Sequence, residues 1–192
     1  MTTHAARELA ETPQETYGQP LPGSYSSTAE ECRALTEGVA ILDRSDVGRL
    51  EVGGEDALDL LNRLTTNELM DLDVNSAVPT VLTSSKGRIM DLLLVLRLED
   101  HLLVLTAPEA RQKVVDWIDF YTFTEDVSIR DVTAETAMLC VAGPGAASLL
   151  DTMSETDISP LERYGALGAS VGGSETKAVR TDFLELPGYD LI

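Results

Sequence analysis

Lysine is nearly missing from this sequence. Lys86, Lys113 and Lys177 stand against eleven arginines, while aspartate and glutamate together number 33 and the formal net charge is −19. Contact with phosphate needs clustered lysine and arginine, so this balance counts against nucleic acid as a partner, through a repulsion that high salt screens. An acid-rich, lysine-poor surface is also of the salt-tolerant, halophilic kind, and a coding bias toward arginine gives the same ratio. Cysteine is equally scarce. Cys32 falls in an expected helix and Cys140 in an expected buried strand, with no histidines at ligand spacing, which argues against a disulfide framework or a cysteine metal site. His4 and His101 are isolated in the sequence and read as surface or turn residues.

Long apolar runs are absent as well. The longest pieces are strand-like, such as Leu92 to Leu96, far short of a membrane span. Residues 1–27 are polar and hold no apolar stretch of the secretory type, so the expectation is a soluble, cytoplasmic protein without a membrane partner.

What is present fits one hydrophobic core in 192 residues. A lead-in over 1–27, rich in proline and glycine toward its end, precedes a domain over 28–192. Thr28 and Glu31 have the spacing of a capping box at the front of "TAEECRALTEG", and Gly38 sits where that helix would stop. "VGRLEV" reads as a strand. In "EDALDLLNRL" the residues Ala57, Leu58, Leu61 and Leu64 recur at helical spacing behind an acidic first turn. A three-strand meander follows, near 77–83, 88–98 and up to Thr106, with turns at Ser84 to Gly87 and Glu99-Asp100. Val114, Trp117, Ile118 and Tyr121 mark another helix. "DVSIRDV" and "TAMLCVAG" predict further strands, "GPGAASLLDTM" a short helix, and a Gly-rich, strand-like stretch ends the chain. No internal repeat is visible. Tight turns between neighbouring strands imply an antiparallel sheet with helices on one face, an α+β fold.

Three places could carry chemistry. "GPGAAS" could offer backbone N–H groups to an anion, but it lacks the lysine of a phosphate loop, and a plain strand-to-helix turn is the simpler reading. Ser84 and Ser85 beside Lys86 lack an orienting acid, so a structural turn is again the simpler reading. Asp91, in "IMDLLLV", shares a strand face with Leu93 and Val95. It is either a solvent-facing acid near the strand's open end or a partly buried carboxylate that needs a donor.

Together "YGQPLPGSYSSTAEECRALTEGVAILDRSDVGRLEVGGEDALDLLNRLTTN", "KGRIMDLLLVLRLEDHLLVLTAP" and "VSIRDVTAETAMLCVAGPGAASLL" resemble the N-terminal folate-binding region of the glycine cleavage T-protein superfamily. That superfamily includes aminomethyltransferases and the YgfZ proteins linked to iron–sulfur cluster maintenance. The "KGR" turn and "FTEDVSIRDVTAE" look more like the YgfZ branch, which is the first expectation. The resemblance implies tetrahydrofolate as cofactor. It makes Asp91 the candidate acid, with Val47, Thr106, Glu185 and Tyr25 beside it as candidate folate contacts.

Departures accompany the likeness. The family's folate-contacting acid lies in an Asp-Asp pair whose second position here is Leu92, so Asp91 is displaced by one residue and would face away unless a bulge near Met90 re-aims it. Thr106-Ala107 replaces an Asn-Ala pair, and Leu186 stands where a pteridine-contacting acid is expected, with Glu185 next to it. Family members continue for another hundred or more residues, so the sequence reads as a fragment or as a short form. Three functions follow as expectations. One is a folate-binding, YgfZ-like protein of one-carbon or iron–sulfur metabolism. Another is an aminomethyltransferase taking a one-carbon unit from an aminomethyl-lipoyl carrier. The last is a truncated, non-catalytic scaffold that pairs with another chain or with itself as a homo-oligomer. Lipoyl carrier protein and iron–sulfur proteins are the partners the resemblance implies.

Overall fold

The computed structural model describes residues 24–192 and, as backbone, two short strands before them, β1 (Pro13–Thr16) and β2 (Gln19–Pro22), which pair antiparallel. His4 and most of the lead-in expected over 1–27 lie outside the described residues. From there the chain forms two compact units, one of residues 47–135 and one that joins residues up to 46 with 136–192.

Residues 40–131, which span the 47–135 unit's elements, form β3 (Ala40–Asp43), β4 (Gly48–Gly53), α2 (Ala57–Leu64), β5 (Ser76–Thr83), β6 (Ile89–Arg97), β7 (Leu102–Thr106), α3 (Arg111–Tyr121) and β8 (Ser128–Asp131). All but β3 belong to this unit. Its sheet has the order β5-β6-β7-β4-β8, antiparallel throughout. The expected helical periods hold. Leu60 and Leu61 of α2 and Val114 and Ile118 of α3 meet Leu50, Val52, Leu82, Leu93, Val95 and Val104 on one sheet face. Each such buried side chain contributes about 1.5–3 kcal/mol of transfer free energy.

The other unit holds α1 (Thr28–Glu37), β3, β9 (Leu139–Ala142), α4 (Ala146–Met153), β10 (Ala166–Val171), β11 (Ser174–Arg180) and β12 (Gly188–Leu191). Its sheet has the order β10-β11-β12-β9-β3, also antiparallel. Val141, Ala178 and Tyr189 pack against Ala146 and Leu150 of α4 and against Ile158. The α+β class is as read, but the strands divide over two sheets, because alternation tells which face a residue takes and not which strand it pairs with. The capping box lies one residue earlier than the spacing suggested. Ser27 and Glu30 form it, while the Glu31 carboxylate accepts from the N–H groups of Tyr25 and Ser26. No helix among the described residues is long and apolar enough to cross a membrane.

A repeat is present after all. β4-α2-β5 and β9-α4-β10 follow the same course 89 residues apart, with Gly54 and Gly143 both at positive φ before the helix, and Asn75 and Tyr164 both at positive φ before the next strand. A β-bridge joins Thr65 to Leu82 in one copy and Ser154 to Val171 in the other. Glycine is required at the first of these points, since a Cβ would fall 2.0 Å from the Asp126 carbonyl oxygen at Gly54 and 2.5 Å from that of Gly38 at Gly143.

Candidate functional site

β6 carries the bulge on which the aim of Asp91 was expected to turn. Leu82 pairs with Asp91 and Thr83 with Ile89, so Met90 is the extra residue. From Asp91 onward the ladder is regular, Thr80 facing Leu93 and Val78 facing Val95. The bulge therefore moves Met90, which packs partly on the helix-side core, and leaves Asp91 on the face of Leu93 and Val95. Leu92 points to the opposite face and is 64% exposed.

The half-buried Asp91 carboxylate is turned onto its own fold. A single oxygen, Oδ2, accepts from the Thr106 hydroxyl and, at 3.0 Å, from the Ala107 N–H. It ties the end of β7 to the turn that leads into α3. Thr106 is 2% exposed, and its ladder partner is Gly48, where a Cβ would come within 2.6 Å of the Thr106 methyl. The glycine leaves room for the threonine to stand over β4. Arg111 lies across the same spot and pairs with Asp131 at 3.0 Å.

Of the five residues the resemblance singled out, Asp91 and Thr106 are in direct contact, and Val47, which is buried, precedes the glycine opposite Thr106. Tyr25 and Glu185 belong to the other unit. Tyr25 is half-buried before α1. Glu185 is exposed in a turn in which Asp182, Leu184 and Glu185 all have positive φ, a strained backbone that costs of order 1–3 kcal/mol per residue.

The family model described as "GCVT N-terminal domain" matches residues 4–192. The chain belongs to that family. The aminomethyltransferase of Bacillus pumilus is 32% identical over 177 residues, 91% of this chain and 48% of that protein. The aminomethyltransferase of Thermotoga neapolitana is 27% identical over 173 residues, again 48% of its length. This GCVT-family chain thus spans about half the length of the curated relatives it matches. Among solved structures, the glycine cleavage system aminomethyltransferase T from Bartonella henselae shares the fold with a TM-score of 0.86 at 16% identity, over 98% of this chain and 51% of that one. A chain of the heterotetrameric sarcosine oxidase from Corynebacterium sp. U-96, in complex with pyrrole 2-carboxylate, matches with a TM-score of 0.59 at 17% identity, over 85% of this chain and 80% of that one.

The GCVT-family fold also holds polar groups that sequence reasoning passed over. Arg49 is fully buried. Its guanidinium donates to the carbonyls of Val47 and Thr133, each at 2.6 Å, so the charge is held by backbone oxygens. In the other unit Asp190 is 1% exposed. It accepts from the Thr181 hydroxyl at 3.0 Å and lies 3.5 Å from the Arg44 guanidinium. Burial raises its pKa, against the opposing pull of Arg44. The same burial, with the Asp190 charge, pushes the neighbouring Cys140 thiol up to about 12, leaving it protonated and unreactive at neutral pH. An arginine inside "VGRLEV" and an acid inside "GYDLI" were the available signals, since charged residues in short apolar strands must find partners.

Proposed function

We propose that this chain is the folate-binding half of an aminomethyltransferase-type protein, holding tetrahydrofolate for one-carbon transfer while lacking the strand acid that would assist it. The observation that carries the reading is the pair at 91 and 92. Asp91 is engaged by Thr106 and Ala107 on the helix-packed face, while the place where the resemblance puts the folate-contacting acid holds an exposed leucine. An acid there would orient the folate amine and stabilise developing positive charge. Leucine supplies neither, so binding outlasts catalysis. The relatives named aminomethyltransferase support this branch, and the YgfZ-like, iron–sulfur reading gains no separate support from them. Calorimetric titration with tetrahydrofolate tests it. Saturable binding is expected, and no heat at millimolar ligand would overturn the reading.

A second reading, a non-catalytic subunit that works within an assembly with another chain, is favoured by one observation. The sarcosine oxidase chain that this one covers to 80% is a chain of a heterotetramer. On that reading the tetrahydrofolate titration stays flat and the chain elutes with a partner under native conditions.

A further inference from the structure

Helix α3 carries, besides the side chains that fill its own core, a row that opens to solvent. Val114 and Ile118 are buried against the sheet. Gln112, Lys113, Asp116, Trp117 and Phe120 line an open groove with Glu109, which precedes the helix, and Met90, the bulged residue; Trp117 and Met90 also pack partly on the core. Phe120 is 61% and Phe123 76% exposed. Ring centroids step from Trp117 to Phe120 at 6.0 Å and from Phe120 to Phe123 at 6.4 Å. The Trp117 Nε1 is buried with no acceptor among the described residues. An aromatic row of this kind, half-buried at Trp117 and exposed at Phe120 and Phe123, marks an interaction surface, where ring burial dominates the energetics.

The charges along the row identify the occupant. A chain of net charge −19 could easily present a wholly acidic rim to a basic partner. Instead one of its three lysines, Lys113, sits in the row between Glu109 and Asp116, and Gln112 steadies the Asp116 carboxylate at 2.8 Å. The row also maps onto itself when reversed. If two copies of the 109–120 segment lie antiparallel about a two-fold axis between positions 114 and 115, then 113 faces 116, 112 faces 117 and 109 faces 120. Lys113 of each copy meets Asp116 of the other, twice.

We propose that this groove is a self-association surface, the α3 row of one chain packing antiparallel on that of a second copy, an isologous two-fold contact. One helix row is smaller than a standard stable interface, so the dimer is weak. The charge of −19 on each copy opposes it at low ionic strength. Association therefore tightens with salt, the reverse of a contact held by exposed ion pairs alone.

Sedimentation equilibrium of the full chain over a range of concentrations and salt tests this. A monomer–dimer equilibrium that shifts toward dimer between about 0.1 M and 2 M salt is expected. Phe120→Glu, with unchanged circular dichroism, weakens it at least about tenfold. At about 0.1 M salt, where the pair is least screened, Lys113→Asp weakens it several-fold, and Lys113→Asp combined with Asp116→Lys recovers wild-type association within about twofold. A monomer under every condition, a dimer indifferent to Phe120→Glu, or a double reversal no better than the single one would each overturn the proposal.

Discussion

Gly54 and Gly143 do the same work 89 residues apart, and so do Asn62 and Asp151. The Asn62 side-chain oxygen accepts from the N–H of Leu69 at 2.7 Å, and an Asp151 oxygen accepts from that of Ile158 at 2.6 Å. Leu69 and Ile158 are both fully buried. Where the two units agree in this way, the shared residues are scaffold. They part after the first strand of the hairpin. β10 and β11 are joined by Gly172-Gly173 alone, both at positive φ, in a two-residue turn. β5 and β6 are joined by the longer Ser84 to Arg88 turn and the Met90 bulge. The residue facing Leu82 is then Asp91, whereas the one facing the corresponding Val171 only three positions later is Ser174, in a plain ladder. The helices diverge too: α3 buries Val114 and Ile118, and α1 has no fully buried residue. The 47–135 unit thus differs from its counterpart at Asp91, Met90 and α3.

The largest test of this comparison is at the glycines. Gly54→Ala and Gly143→Ala should each destabilise by about 3–5 kcal/mol in denaturant unfolding, because both the positive φ and a backbone oxygen oppose a Cβ. Tolerance at one of them would break the equivalence. Next, Leu69→Ala and Ile158→Ala should cost similar amounts, about 2–5 kcal/mol each, by emptying matched sites in the two cores.

A subtler contrast lies in the matched polar residues. Hydrogen bonds from the N–H and hydroxyl of Ser159 and the N–H of Ile158 hold the Asp151 carboxyl below its ordinary pKa. A lowered folded-state value means that its contribution is present above the unfolded pKa and is lost as pH falls through the folded one. Asn62 does not titrate. Asp151→Asn should therefore flatten the acid side of the stability profile below about pH 4, while Asn62→Ala should lower stability equally at every pH. The smallest effect belongs to Thr106→Val, about 1 kcal/mol for one lost donor to Asp91, restored by Thr106→Ser.

Much of this was legible in the sequence. Leu58, Leu61 and Leu64 set the period of α2, and the Ser-Ser-Lys-Gly turn punctuates β5 and β6 because its residues suit reversal. β3 was not, since "AILD" is four residues with no alternation beyond its neighbours. The repeat escaped because what the copies keep, such as Leu50 with Leu139, Val52 with Val141 and Leu61 with Leu150, is what any half-buried strand and helix would keep. The bulge depends on register between two strands, which a single strand's pattern does not carry. Asp91 and Thr106, fifteen residues apart, meet only because β6 and β7 are hydrogen-bonded neighbours.

The proposal that position 92, not Asp91, faces the folate is tested by one calorimetric series. Tetrahydrofolate titrated into wild type, Asp91→Asn and Leu92→Asp should bind the first two within about twofold and bind Leu92→Asp roughly tenfold more tightly, the worth of one charge-assisted hydrogen bond. Loss of binding in a folded Asp91→Asn, with Leu92→Asp no tighter than wild type, would contradict it.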